Sequence, residues 1–273
     1  MILLHLSDLH FDIRDPLELM YSKWDSMIEC IIKRTHIDAL ILSGDMIFYQ
    51  HIDENFEYAA YFLNLLISRL GISRKNVFLC AGNHEMKLLK GCPQEVCGQL
   101  MRMSKEQKET YTASYRHFYE HICMRPYPET ALCEGIETDE VSLLVIDSFA
   151  SIDSMRKCYF VPMCKTVSAQ MHRLFSVQGR TNLIIQHAES QYVCRQCIDS
   201  IPYEQYGAIT LCGHKNFKLK TGFFPAGCNA NLVSGAKDGF VEDTLTYGIY
   251  NVTREGVWSY ALNYEGGCWK IKV

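Results

Sequence analysis

Five short apolar segments of this sequence are each followed at once by residues that can bind a metal ion. They span residues 2–6, 39–42, 77–81, 183–185 and 209–212. Short apolar runs that stop at glycine or at polar residues are typical of buried β-strands. The pattern therefore predicts an α/β protein in which several strands end at the same edge of a sheet.

The residues that follow these segments carry carboxylate, imidazole or amide groups, and none is a cysteine. They are Asp8, His10, Asp45, Asn83, His187, His214 and Asn216. In an open α/β sheet, side chains at the carboxyl ends of the strands converge on one crevice, whereas polar side chains inside the strands would be buried without partners. We therefore expect these residues to lie close together.

The segments between the first three strands are predicted to be helices that make these strands parallel. Apolar residues recur at helical spacing up to Ile32, after Asp15 and Pro16, which are predicted to be the N-cap and the first helical residue. A second apolar stripe follows Asp53, the predicted cap of the next helix, and Gly71 ends it. Two such crossovers bring the polar strand ends to one edge.

Length and composition favour a single domain over residues 1–273. With 48% hydrophobic residues the chain can bury a large core, and no linker-like break interrupts the pattern. Residues from about 86 to 140 depart from it and are predicted to form a cap inserted beside the site, with a helix near residues 104–123. Residues 217–273 are predicted to be antiparallel strands that close a second sheet.

Charge and cysteine content limit the expected partners and compartment. The formal net charge of −4 gives no general attraction for a phosphate backbone, so nucleic acid would have to bind a local basic patch or metal ions. The 13 cysteines are interpreted as mostly free thiols. The N-terminal apolar run is too short for a signal peptide, and no stretch is long enough to span a bilayer, so we predict a cytoplasmic protein without a membrane partner.

The oxygen and nitrogen ligands suit Mn, Fe, Zn or Mg rather than a soft metal. Seven ligands exceed the needs of one ion. Two ions about 3.5–4 Å apart, bridged by one carboxylate and a water, would use the whole set, and this arrangement is common in the hydrolysis of phosphate esters. We therefore predict two divalent metal ions, with Mn favoured over Mg, Zn or Fe.

The order of these motifs resembles that of the calcineurin-like metallophosphoesterases. The matching motifs are Asp8-x-His10, Gly44-Asp45, Gly82-Asn83-His84-Glu85, His187 and Gly213-His214-x-Asn216. The resemblance covers the chain from Asp8 to Asn216, and its specificity lies in the whole set rather than in any one motif. It implies a two-sheet α/β/β/α sandwich with a dinuclear metal centre.

The resemblance also implies a role for each residue. Asp8, His10 and Asn216 would bind the first ion, Asn83, His187 and His214 the second, and Asp45 would bridge the two. His84 would not be a ligand, because in such enzymes this histidine faces the scissile phosphate. A metal-bridged hydroxide would attack phosphorus in line, while the imidazole protonates the leaving alkoxide.

Two positions depart from the family pattern. The last motif of the family normally ends in histidine, and this chain has Asn216, whose amide oxygen is a weaker ligand for Zn than for Mn or Mg. The Gly-Asp motif is followed by Met46-Ile47-Phe48-Tyr49 instead of a second aspartate or the Asp-Arg-Gly of protein phosphatases. This second departure argues against that branch of protein phosphatases.

Other residues whose side chains could bind a metal or react have simpler interpretations. His5 is interpreted as a core or supporting histidine, and Asp147, at the end of a strand, as a capping residue rather than a ligand. Cys194-x-x-Cys197 could be half of a zinc site or a redox pair, but a coincidental pair is favoured because no second pair lies nearby.

The helix predicted near residues 104–123 carries two further patterns. His117-x-x-Glu120-His121 matches a zinc-protease motif, although the strand-end set is a better metal site. Five aromatic residues could stack nucleobases, but their spacing favours a packed helix face. These residues are Tyr111, Tyr115, Phe118, Tyr119 and Tyr127.

The predicted function is hydrolysis of a phosphodiester, in a nucleotide-type small molecule or at the end of a nucleic acid. The negative net charge favours the small molecule as substrate. One alternative is a DNA exonuclease or endonuclease, with this chain as the catalytic head of a larger protein. Another is a catalytically weakened metallo-fold that acts as a binding module.

Overall fold

The computed structural model describes residues 1–85, 102–128, 133–147, 149–151, 158–160, 164–188, 201–202, 204–213, 219–235, 240–241 and 243–272. Within these residues, two β-sheets pack face to face and helices cover their outer faces. This is the predicted α/β/β/α arrangement.

The first sheet has seven strands among the described residues and is built on three parallel ones. β1 (Ile2–Leu6), β2 (Ala39–Ser43) and β3 (Val77–Cys80) are parallel neighbours. The helices α1 (Leu17–Ile32) and α2 (Ile52–Leu70) connect them. The predicted crossovers are therefore confirmed, and the three strands end at one edge.

The helix termini differ slightly from the predicted ones. Pro16 occupies the N-cap of α1 instead of the first helical position. The N-cap of α2 is His51, and Asp53 lies in the first turn, where its charge is favourable beside the positive end of the helix dipole. Gly71 ends α2 with a φ of 67°, as predicted.

Strands from the C-terminal part of the chain lie on the other side of β1. β12 (Leu245–Thr253) pairs with β1, and β13 (Gly256–Glu265) pairs with β12. β10 (Gly222–Pro225) and β14 (Cys268–Lys272) both pair with β13. The prediction that residues 217–273 close a second sheet is wrong for these four strands, because β1 has an open edge opposite β2 and β12 extends the first sheet there. Only residues 230–233 of this range join the other sheet among the described residues, and they pair there in parallel.

The second sheet has five strands among the described residues. In spatial order they are β11 (Ala230–Val233), β9 (Ile209–Cys212), β8 (Thr181–Ile185), β5 (Val141–Ile146) and β4 (Cys133–Glu137). All neighbours are parallel except β4 and β5. β4 therefore comes from the segment predicted to be a cap. A short hairpin of β6 (Phe149–Ser151) and β7 (Cys158–Phe160) stands apart from both sheets.

The central strands of the first sheet are buried on both faces. Leu4 and Leu40 pack into the core shared with α1 and α2, whereas Leu3 and Ile41 pack into the core between the two sheets. Burial on both faces explains why these strands have continuous apolar sequences without polar alternation.

Two further helices lie outside the sheets. The predicted helix near residues 104–123 is α3 (Lys105–Cys123), which packs against α2 and β3 and starts with a capping box formed by Ser104 and Gln107. α4 (Cys164–Phe175) packs against β4 and β5. No helix in the described part of the chain is long and apolar enough to cross a membrane.

The cysteines whose side chains are described are free thiols, as predicted. They are Cys30, Cys80, Cys123, Cys212, Cys228 and Cys268.

Candidate metal centre

Asp45, which follows β2, lies at the centre of the predicted site and is 2% exposed. Its carboxylate belongs to two groups of potential ligands, each with ligand atoms within 4.8 Å of one another. One group is His10, Asp45 and His84, and the other is Asp8, Asp45 and His187. One carboxylate shared by two groups is the arrangement that a bridging ligand requires.

The side chain of His187, which follows β8, faces Asp45 directly. Its Nε2 lies 3.2 Å from Oδ2 of Asp45 and 3.3 Å from Oδ1 of Asn83. Its Nδ1–H donates a hydrogen bond to the carbonyl of Ser43 at 2.8 Å. This bond fixes the ring orientation so that Nε2 faces the site, where it would bind a metal ion after losing its proton.

Asp8 and His10 follow β1 and both lie beside Asp45. Nε2 of His10 is 4.0 Å from Oδ1 of Asp8. The hydroxyl of Ser7 donates to Oδ2 of Asp8 at 2.7 Å, which holds the carboxylate in place. The ring of His10 is also 4.5 Å from the ring of His84.

Two of the predicted ligands, His214 and Asn216, lie outside the described residues. Gly213, which precedes them, donates its N–H to the carbonyl of His187 at 2.9 Å. A Cβ on Gly213 would overlap the side chain of Asp8. Gly213 therefore lies next to both Asp8 and His187, and only glycine fits at this position.

Charge keeps the Asp45 carboxylate ionised. Burial raises its pKa, but the imidazoles of His187, His84 and His10 outweigh burial and hold the pKa well below its usual range. The pKa of His187 is raised to about 9, because Asp45 and Asp8 outweigh the lowering effect of burial. Ionised carboxylates beside imidazoles form a donor set suited to Mn, Fe or Zn.

The backbone turns three of these side chains into the crevice. Among the described non-glycine residues, five have φ in the left-handed region, and three of them are Asp8 at 52°, His10 at 46° and Asp45 at 52°. Such conformations cost about 1–3 kcal/mol each and cluster at functional sites. Their coincidence with the predicted ligands supports a functional role for this edge.

Glu85 is a buried residue of the site for which the sequence pattern predicts no role. Its carboxylate accepts the backbone N–H groups of Asp45 at 2.8 Å, Met46 at 2.5 Å, Ile47 at 3.2 Å and Gly82 at 2.6 Å. Burial, together with the charge of Asp45, raises its pKa to about 7. Glu85 thus fastens the loop after β2 to the loop after β3, and its only signal in the sequence is its place in the strand-end motif.

His5 and Asp147 are not among the groups of potential ligands found in the described residues. His5 is fully buried, and its ring nitrogens pair with the hydroxyls of Ser43 at 2.7 Å and Tyr250 at 3.2 Å. Burial lowers the pKa of His5 to about 3. Asp147 accepts the N–H of Ala81 at 2.7 Å. The interpretation of His5 as a core histidine is therefore confirmed, whereas Asp147 binds a backbone N–H of another strand's loop instead of capping a helix or turn.

The zinc-protease pattern on α3 does not form a metal site in the described structure. His117 is exposed, His121 pairs with Asn64, and Glu120 accepts the backbone N–H of Tyr127. None of the three potential ligands belongs to the groups found among the described residues. Cys194 and Cys197 lie outside those residues.

The aromatic set on and after α3 is packed rather than available for stacking. Tyr115, Phe118, Tyr119 and Tyr127 are at most 4% exposed, as the helical spacing predicted. The side chain of Tyr111 lies outside the described part of the chain.

A two-sheet sandwich with a shared carboxylate at the strand ends is the construction of a metal-dependent phosphoesterase. A family model for calcineurin-like phosphoesterases matches residues 1–215. The chain therefore belongs to the calcineurin-like phosphoesterase family, in which divalent metal ions are used.

The relatives of this chain are distant. The uncharacterized metallophosphoesterase-like protein YydB of Bacillus subtilis (strain 168) is 25% identical over 158 residues, covering 53% of this chain and 32% of YydB. This chain thus matches about a third of the length of that relative. Purple acid phosphatase PPD1 from yellow lupin (Lupinus luteus) seeds has a TM-score of 0.56 at 9% identity, over 99% of this chain and 52% of that one. This likeness shows a shared fold.

A third similar structure is that of an archaeal phosphodiesterase. Its TM-score is 0.43 at 11% identity, over 96% of this chain and 100% of that one.

Proposed function

We propose that this protein is a phosphodiesterase that uses two divalent metal ions to hydrolyse a phosphodiester of the nucleotide type. The observation that carries the proposal is the Asp45 carboxylate, which is shared by a group containing His10 and a group containing His187. Membership of the calcineurin-like phosphoesterase family supports hydrolysis of a phosphate ester.

Two ions with Asp45 between them would use the donor atoms of both groups. The family resemblance implies that Asp8 and His10 would hold the first ion and Asn83 and His187 the second, whereas by distance Asp8 groups with His187, and His84 with His10. The mixture of carboxylate, amide and imidazole favours Mn over a softer metal. As the family resemblance implies, Asn216 would complete the first site and His214 the second.

The ions would polarise the phosphoryl oxygens and activate water. Side chains of the protein would bind the ions, and one further side chain would protonate the leaving group. His84 donates its backbone N–H to Oδ1 of Asp45 at 2.9 Å, and its imidazole Nε2 lies 3.9 Å from Oδ2. As the water oxygen bonds to phosphorus and loses a proton to solvent, the phosphorus–oxygen bond to the leaving group breaks, and His84 in its protonated form would give its proton to the leaving oxygen.

Turnover of a substrate panel with Mn, Mg and Zn in turn tests this proposal. The panel contains phosphomonoesters, cyclic nucleotides, dinucleotides, single- and double-stranded DNA, and bis(p-nitrophenyl) phosphate. We expect metal-dependent hydrolysis of a nucleotide diester that stops when a chelator is added. A protein that binds two ions and hydrolyses none of these esters would instead be a binding module.

A further inference from the structure

A pair of aromatic rings lies directly beside His84. The ring of Tyr49 is 5.4 Å from the His84 ring, and the ring of Phe48 is 5.8 Å from it. The two aromatic rings are 4.6 Å apart. Phe48 is half-buried, but Tyr49 is 40% exposed. An apolar π surface is therefore accessible next to the residue that we propose as the proton donor.

Arg14, whose charge is paired with that of Asp12, adds hydrogen-bond donors to this surface. Its guanidinium carbon lies 5.6 Å from the centre of the Phe48 ring, and its side chain is 55% exposed. Nε donates to both carboxylate oxygens of Asp12, at 2.9 and 3.0 Å, and Nη2 also binds Asp12. Nη1 has no acceptor among the described residues, so this nitrogen can donate to a bound molecule while the guanidinium stays fixed.

A fully buried asparagine fixes the rings and the arginine relative to each other. Oδ1 of Asn55 accepts the N–H of Ile13 at 2.7 Å, next to Arg14 in the chain. Its Nδ2 donates to the carbonyls of Phe48 at 3.0 Å and Gln50 at 2.6 Å, on either side of Tyr49. The surface is therefore organised before any ligand arrives, which lowers the entropy cost of binding.

We propose that Phe48, Tyr49 and Arg14 form the subsite for the leaving group of the phosphodiester, and that this leaving group carries a nucleobase. The inference rests on the proposed function, because it takes His84 as the donor of a proton to the leaving oxygen. A substituent on that oxygen lies beside His84 and so beside Tyr49. A nucleobase offers a flat π face for the ring, and its carbonyl oxygens or a neighbouring phosphate can accept from Arg14.

Tyr61 provides a matched control for Tyr49. It is also an exposed tyrosine, at 49%, but its ring contacts are with Tyr21 and Phe62 on the outer face of the molecule. Replacing it removes an exposed aromatic ring without touching the proposed subsite.

The test compares substrates that differ only in the leaving group. The dinucleotide TpT releases a nucleoside, and the methyl esters of thymidine 3′- and 5′-phosphate release methanol. We expect Tyr49→Ala to lower the kcat/KM ratio of dinucleotide to methyl ester by about tenfold or more, because stacking of a base is worth about 1–3 kcal/mol. Tyr49→Phe should keep this ratio within about twofold because the π face remains, and Tyr61→Ala should leave it unchanged.

Binding gives a second readout that does not depend on turnover. Phosphonate analogues of the same esters, with CH2 in place of the bridging oxygen, are titrated calorimetrically into Mn-loaded wild type and Tyr49→Ala. If Tyr49→Ala weakens binding of the dinucleotide analogue but not of the methyl analogues, the subsite is supported. This holds even if the wild type hydrolyses neither ester and the proposed function fails. An equal change for both analogues, or none, overturns the subsite whether or not the protein is a phosphodiesterase.

Discussion

Asp45 and Asp147 are both buried aspartates within two residues of the end of a buried strand, β2 or β5, but their neighbours differ. Asp45 lies among the imidazoles of His10, His84 and His187. These groups present nitrogen atoms that can bind a cation together with the carboxylate. The surroundings of Asp45 are those of a metal ligand.

Asp147 is surrounded by hydrogen-bond donors instead. It accepts the backbone N–H of Ala81 at 2.7 Å, the hydroxyl of Tyr115 at 3.2 Å and the hydroxyl of Tyr127. These donors already stabilise the carboxylate charge, so Asp147 joins the second sheet to α3 and to the loop that carries Asn83. Two buried aspartates near strand ends therefore differ in the groups that the fold places around them.

The largest expected effect concerns the carboxylate shared by the two groups of ligands. We predict that Asp45→Ala abolishes hydrolysis and removes at least one metal ion, because both proposed ions use this side chain. Activity assays with added Mn and metal analysis of the purified variant check this. Undiminished hydrolysis would contradict the dinuclear assignment.

The second prediction separates the proton donor from the ligands around Asp45. His84→Ala should lower kcat by about 10²–10⁴-fold, the usual range for a proton-transfer residue, with metal content nearly unchanged. The loss should be smaller for a p-nitrophenyl ester, whose leaving group needs little protonation. His10→Ala is the matched control and should lose metal. If His84→Ala loses metal as well, His84 is a ligand.

The third prediction concerns the other aspartate. Asp147→Asn should lower the free energy of unfolding by about 2–3 kcal/mol, because it replaces a charged acceptor of the Ala81 N–H and of two tyrosine hydroxyls by a neutral amide that keeps only one acceptor oxygen. Its metal content should match that of the wild type. Urea unfolding and metal analysis measure the two quantities. A loss of metal without a loss of stability would remove the distinction between the two aspartates.

The smallest expected effect is that of a single hydroxyl. Tyr115→Phe should cost about 1 kcal/mol of unfolding free energy, since it removes one of several donors to Asp147. The same substitution should cost less in an Asp147→Asn background, because the two residues share one interaction. Strictly additive costs in this double-mutant cycle would show that the hydroxyl stabilises the fold in some other way.

Much of the site follows from local sequence. The apolar run at residues 2–6 is β1 with the predicted bounds, and the polar residues after β1, β2, β3 and β8 meet at one edge as predicted. The prediction succeeds because strand ends are marked locally by the change from apolar to polar residues, and parallel strands then align those ends.

Partner choice could not be predicted in the same way. The sequence of β12 predicts a strand but does not indicate that this strand pairs with β1, about 245 positions earlier in the chain. Glu85 binds four backbone N–H groups, most of them some 40 positions away in sequence. Asp45 and Asp147 likewise look alike until residues distant in the chain surround them.

Metal stoichiometry by calorimetric titration with Mn, run in parallel on wild type, Asp45→Ala and Asp147→Asn, tests the shared carboxylate most directly. Two ions are expected for wild type and for Asp147→Asn, and at most one weakly bound ion for Asp45→Ala. Two ions bound by Asp45→Ala with the affinity of the wild type would contradict a carboxylate that bridges the sites.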